Sequence, residues 1–115
     1  MVFVADTLND NEINEIAGYI SGLKLGPHVA VDATLAKAGR QQLRTLHCQS
    51  CHGTGYRGEG AVARLAGQSP AYTAWEIRLI RSGSRHHPAG KPQTELKAMP
   101  EETIDAVANA LGGMN

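Results

Sequence analysis

Aromatic residues are scarce in this chain. Phe3, Tyr19, Tyr56, Tyr72 and Trp75 are the whole set, 4% of 115 residues, although 42% are apolar. A core of this composition has little flat apolar surface of its own. Cysteine is almost absent too. Cys48 and Cys51 are the only pair, so no disulfide framework can staple the fold elsewhere. Neither charge is in excess, with 11 Lys and Arg against 11 Asp and Glu. That balance excludes a bulk electrostatic nucleic-acid binder, and no nucleic-acid partner is expected. The apolar runs are far shorter than a bilayer is thick, so no membrane span is expected. The start, Met1-Val-Phe-Val-Ala5, lacks the basic residues and long apolar core of a secretory leader. It reads as a mature form, a fragment or an unusual gene start. The length suits one domain with a modest core.

What the chain does have is concentrated in Cys48-Gln-Ser-Cys51-His52. Cys-x-x-Cys-His is the attachment signature of c-type haem. Thiols at this spacing reach the two vinyl groups on one porphyrin edge and form thioethers. The histidine that follows then lies under the ring, where its imidazole can ligate iron. The expected cofactor is one haem c, covalent through Cys48 and Cys51, with His52 as axial ligand. A buried haem also supplies the flat apolar surface that the composition lacks. Zinc is the weaker reading, because a closed site wants four ligands and no second Cys-x-x-Cys exists. A thioredoxin-like redox pair needs a βαβ setting that is missing here.

Helical periodicity accounts for most of the remainder. Residues 9–23 read as an amphipathic helix, capped by Asn9 or Asp10, with Ile13, Ile16, Ala17 and Ile20 on one face. Residues 25–31 read as a linker, with His28 a surface residue in it. A second helix, 33–46, places Leu35, Ala38, Gly39, Gln42, Leu43 and Leu46 on a shared face and runs into the haem motif. The glycine-rich loop 53–60 has neither a preceding strand nor the Gly-Lys-Ser/Thr of a phosphate loop. It reads instead as backbone wrapping the haem edge. Ser69 and Pro70 open a third helix with the stripe Tyr72, Trp75, Leu79 and Ile80. Residues 85–97 are polar and rich in breakers and read as loop. A final helix spans 100–111.

The two ends repeat one another. Residues 8–23 align without gaps on 99–114, matching Ile13 to Ile104, Ile16 to Val107, Ala17 to Ala108, Ile20 to Leu111 and Gly22 to Gly113. Two amphipathic helices can look alike by chance. The sharper reading is that both are the closing helix of one domain type.

Together these segments resemble the class I c-type cytochromes, and within them the di-haem cytochrome c-four group. The carrying residues are Gly39-x-x-x-Leu43, the haem motif with Gly53, Leu65-Ala-Gly-Gln68-Ser-Pro-Ala-Tyr72, Arg81-Ser-Gly-x-Arg85 and the closing helix. The resemblance covers residues 33–115. It implies an all-α class I cytochrome c fold enclosing one haem, with an extra N-terminal helix. The organisation it implies is 1–24 as the closing segment of a preceding cytochrome domain, 25–32 as linker and 33–115 as the mono-haem domain. It also implies a close crossing of the first and last helices of that domain at Gly39. Leu43 and Ala110 stand where aromatic partners are usual, which predicts a looser crossing. In the family a backbone carbonyl before the Leu-Ala-Gly stretch holds the proximal histidine, and Ala63 sits near that position.

The sixth iron ligand is left open among four readings. Met99 lies at a plausible distance after His52, yet the repeat aligns it with Leu8, a core position, and moves the family's ligand position to Pro92, which cannot ligate. His86 and His87 lie just upstream. Met1 has the family's local spacing to a closing helix. The position can also be open. A thioether raises the potential, a second imidazole lowers it, and an open site admits small ligands. Trp75 is expected to face haem or core. Arg57, Arg78, Arg81 and Arg85 are candidates for haem propionates, with Arg85 favoured by the resemblance.

The expected function is electron transfer rather than catalysis. The chain reads as a periplasmic one-electron carrier, or as the cytochrome subunit of a redox enzyme complex, with protein donor and acceptor. The N-terminal helix suggests docking on such a complex or a homodimer. The alternative is haem-based binding or sensing of a small ligand at an open sixth site.

Overall fold

The protein, in a computed structural model, is described over residues 4, 6–23, 30–87 and 90–114. Met1 and the stretch 24–29, which holds His28, lie outside the described residues. Among the described residues six helices follow one another: α1 (Asp10–Gly22), α2 (Ala33–Leu43), α3 (Gln49–His52), α4 (Pro70–Ser82), α5 (Gly90–Lys97) and α6 (Glu101–Gly112), with a 3-10 turn at Thr54–Tyr56.

Capping sets where α1 begins. The Asn9 side chain accepts from the Asn11 and Glu12 amides, and Glu12 accepts in return from the Asn9 amide at 2.9 Å. This reciprocal box satisfies donors that a helix start leaves orphaned. The Asp32 carboxylate does the same for α2, accepting from Leu35. Helix α2 stops at Leu43, short of the predicted 46, and tightens into turns on the Gln42 carbonyl. It buries Ala36, Gly39 and Leu43, while Leu35, Ala38 and Gln42 face outward.

The core is the crossing of α2 and α6, with α4 laid against α6. Gly39 makes the crossing close, because a Cβ there would land on the Ala106 carbonyl and crowd the Ala110 methyl. The expected looseness is therefore absent. Small residues on both helices let the backbones touch without aromatic spacers. Ile104, Val107, Ala108, Ala110 and Leu111 of α6 are buried in this cluster together with Leu43, Tyr56, Ala74, Ile77 and Met99. The α2 start is tied to the α6 end by a 2.8 Å bond from the Asp32 amide to Asn109 Oδ1. Outside the core, Arg78 and Arg81 of α4 bond Glu101 at the start of α6, and Arg78 also bonds Asp105.

Two predictions need correction. Helix α5 forms where breakers suggested a loop. Pro92 falls in its first turn, where amides lack intrahelical partners and the missing N–H costs little. On α4 the buried face is Thr73, Ala74, Ile77 and Ile80. Tyr72 and Trp75, from the predicted stripe, lie on an adjoining exposed face with ring centroids 6.0 Å apart. Trp75 is 53% exposed, so it is no core residue.

Candidate haem site

The haem motif sits on a single helical turn. Cys48 is the N-cap of α3, and its carbonyl accepts from both Cys51 and His52. This winding brings both thiols and the imidazole to one short piece of backbone. Cys48 is half-buried and Cys51 exposed, and no disulfide joins them. Burial, helped by the charges of Glu95 and Cys51, pushes the Cys48 thiol above its ordinary range. A buried thiolate is thus disfavoured there, whereas a neutral thioether carries no such penalty. Among the described residues no group of three or more His, Cys, Asp or Glu side chains could hold a metal ion. A closed zinc site finds no support in them.

His52 is oriented from behind. Its Nδ1 lies 2.7 Å from the Ala63 carbonyl oxygen. A carbonyl can only accept, so Nδ1 carries the proton and Nε2 is left with its lone pair for a metal. Bonds of this kind fix the tautomer and ring orientation of metal-ligating histidines. The loop that delivers Ala63 is itself tied to the motif. The Gly58 amide donates to the His52 carbonyl at 2.8 Å. Gly58 has φ +81°, and a Cβ there would press on the Val62 carbonyl and the Arg64 amide. Only glycine allows the loop to double back so tightly.

Tyr56 is a positioning residue that the sequence pattern does not reveal. It adopts φ 58°, a left-handed conformation uncommon for a non-glycine residue. Its carbonyl accepts from Leu65 and Ala66 at 2.9 and 3.0 Å, and its hydroxyl donates to the Leu43 carbonyl at 3.3 Å. The buried ring thereby joins the end of α2 to the segment that follows Ala63. A tyrosine inside a glycine-rich run was the only signal in the sequence.

The remaining candidates separate. His87 is half-buried, with its ring centroid 6.2 Å from that of His52, whereas His86 is exposed. Met99 is 5% exposed and packs within the core cluster. Arg85 donates to Glu76 at 2.6 Å, and its amide bonds the Leu79 carbonyl at 3.0 Å. A guanidinium has five N–H groups, so the bond to Glu76 leaves capacity for an added carboxylate. Trp75 remains on the exposed face of α4. The thiol pair, the oriented His52 and a second imidazole with its ring centre 6.2 Å away fit a c-type haem.

A family model described as "Cytochrome C oxidase, cbb3-type, subunit III" matches residues 34–109. The chain belongs to this cytochrome c family. It is similar to cytochrome c4 of Stutzerimonas stutzeri, 32% identical over 94 residues, an alignment that takes in 74% of this chain and 44% of the relative. The crystal structure of reduced recombinant cytochrome c4 from Pseudomonas stutzeri overlays with a TM-score of 0.78 at 27% identity, covering 97% of this chain and 64% of that one. The chain thus spans under half the length of the curated relative and less than two thirds of the solved one. An overlay of that extent necessarily includes α1. The chain is an all-α cytochrome with the class I fold, and Cys48 and Cys51 stand in the pattern of haem c attachment. Among the described residues no helix is long and apolar enough to cross a membrane.

Proposed function

We propose that this cytochrome domain carries single electrons on one haem c, bound covalently through Cys48 and Cys51 and ligated by His52. Its setting is the bacterial periplasm, between a protein donor and a protein acceptor, either free or as the cytochrome subunit of a larger redox complex. The haem-holding unit is 33–115, and α1 resembles the closing segment of another such domain. The observation that carries the reading is the bond from His52 Nδ1 to the Ala63 carbonyl beside the thiol pair.

The haem, when bound, supplies a one-electron iron couple. The protein's part is to hold and orient. Cys48 and Cys51 anchor one edge, with the exposed Cys51 keeping the attachment at the surface, where a partner can approach. His52 presents Nε2, and Ala63 keeps the ring from turning. Tyr56 and Gly58 brace the loop so that the imidazole does not shift when the charge on its partner changes.

Spectroelectrochemical titration of the haem-loaded chain tests this. A single reversible one-electron step, with no change in the reduced spectrum under carbon monoxide, is expected. Ready uptake of carbon monoxide would replace the carrier with a small-ligand-binding protein.

A further inference from the structure

We infer that His87 is the second axial iron ligand, opposite His52, so that this domain holds its haem between two imidazoles. The inference rests on the carrier reading above and deepens it.

The separation of the rings is the first reason. Their centroids stand 6.2 Å apart. A direct N–H···N bond between imidazoles would bring the centroids to roughly 5 Å, so the two rings are not bonded to each other. Two imidazoles on opposite sides of one metal, with metal–nitrogen bonds of about 2.0–2.1 Å and a nitrogen roughly 1.1 Å from each ring centre, stand about 6.3 Å apart. The observed spacing matches the second arrangement. The 45° angle between the ring planes is compatible with it, because both planes can contain the common axis at any rotation about it.

The neighbours give the second reason. His52 has one nitrogen engaged by Ala63, so a single nitrogen remains for a metal. His87 is half-buried with its Nδ1 shut off from solvent, while adjacent His86 is exposed. The segment before His87 is anchored, since the Arg85 amide bonds Leu79 and its guanidinium bonds Glu76. Met99 is placed differently. Its side chain lies in the core cluster with Leu43, Ile77 and Ile104, and its carbonyl accepts from Arg81 at 3.3 Å. Ligation by Met99 would require it to leave that core and open a cavity there.

The consequence is a lower potential than a histidine–methionine pair would set, since the thioether is what favours reduced iron. Electron paramagnetic resonance and near-infrared magnetic circular dichroism of the ferric holoprotein test the assignment. The wild type should show a low-spin bis-imidazole signature without a methionine-to-iron band. His87→Ala should become high-spin or water-ligated, bind carbon monoxide when reduced, and regain the low-spin signature with added imidazole. His87→Met should raise the potential. Met99→Leu and His86→Ala should leave the spectrum unchanged. A methionine band in the wild type that vanishes in Met99→Leu overturns the inference, as does a low-spin signature that survives His87→Ala. Either result leaves the carrier reading standing, whereas a chain with no covalent haem overturns both.

Discussion

Helices α1 and α6 carry the same apolar pattern and meet opposite fates. Ile104 is fully buried, while its counterpart Ile13 is 43% exposed; Val107 is buried, while its counterpart Ile16 is 45% exposed. The apolar period makes a helix in both places, and of the two α1 has a side-chain cap and α6 has none; yet of the two only α6 has a helix shaped to receive it. Its seat is Gly39 on α2, where the two backbones touch. The lesson is that an amphipathic stripe states what a helix could bury, whereas burial depends on a complementary surface. Ala106 and Ala110 make α6 flat at the contact. The aligned positions on α1 are Glu15 and Tyr19, which are larger.

The comparison can be broken most severely at Gly39. Gly39→Val should cost more than about 4 kcal/mol, because backbone meets side chain and neither can repack. Denaturant unfolding of the holoprotein measures it, and near-wild-type stability would show that the crossing is not close. Ile104→Ala should cost about 3 kcal/mol by emptying a filled core position. Ile13→Ala and Ile16→Ala should each change stability by less than about 0.5 kcal/mol at low protein concentration. Equal costs on the two helices would erase the difference and show that the α1 face is covered in solution.

A smaller effect sharpens the contrast. Asn9→Ala removes the side chain of the α1 capping box, worth about 1 kcal/mol to a helix. Because α1 buries nothing, far-ultraviolet circular dichroism should lose helix signal while the unfolding midpoint of the haem domain stays put. The smallest effect concerns the start of α6. Hydrogen bonds from Arg81 and then Arg78 hold the Glu101 carboxyl below its ordinary value of 4.5. A carboxylate with a depressed folded value stabilises fully above its unfolded value and loses that contribution as pH falls through the folded one. Acid titration below about pH 4.5 should therefore loosen α4 from α6. Glu101→Gln should flatten that part of the pH profile, and salt should weaken it, as for any exposed pair.

Much of this was readable from residue order. Asn9 and Pro100 mark the starts of α1 and α6 by local chemistry, Asn9 through its capping side chain and Pro100 through its fixed φ. The haem motif is legible because its spacing is itself the chemistry. Helix α5 was hidden by Pro92, whose harmlessness depends on its being in the first turn. The buried face of α4 was misjudged because Trp75 and Tyr72 look like core residues, although smaller side chains pack against α6. Tyr56 was invisible as a brace, since its left-handed backbone and its bond to Leu43 depend on contacts far along the chain. The geometry of His87 was out of reach for the same reason: a ring-to-ring distance across 35 residues of chain is set by how α4 and the loops fold back.

The central claim is a single haem attached by Cys48 and Cys51. Intact mass measured under denaturing conditions, after expression with cytochrome c maturation factors, tests it most directly. The account predicts a chain heavier by one haem that survives acid-organic extraction, with the added mass lost in the double variant Cys48→Ala/Cys51→Ala. A wild-type chain at its bare polypeptide mass, with free haem in the organic phase, would contradict it.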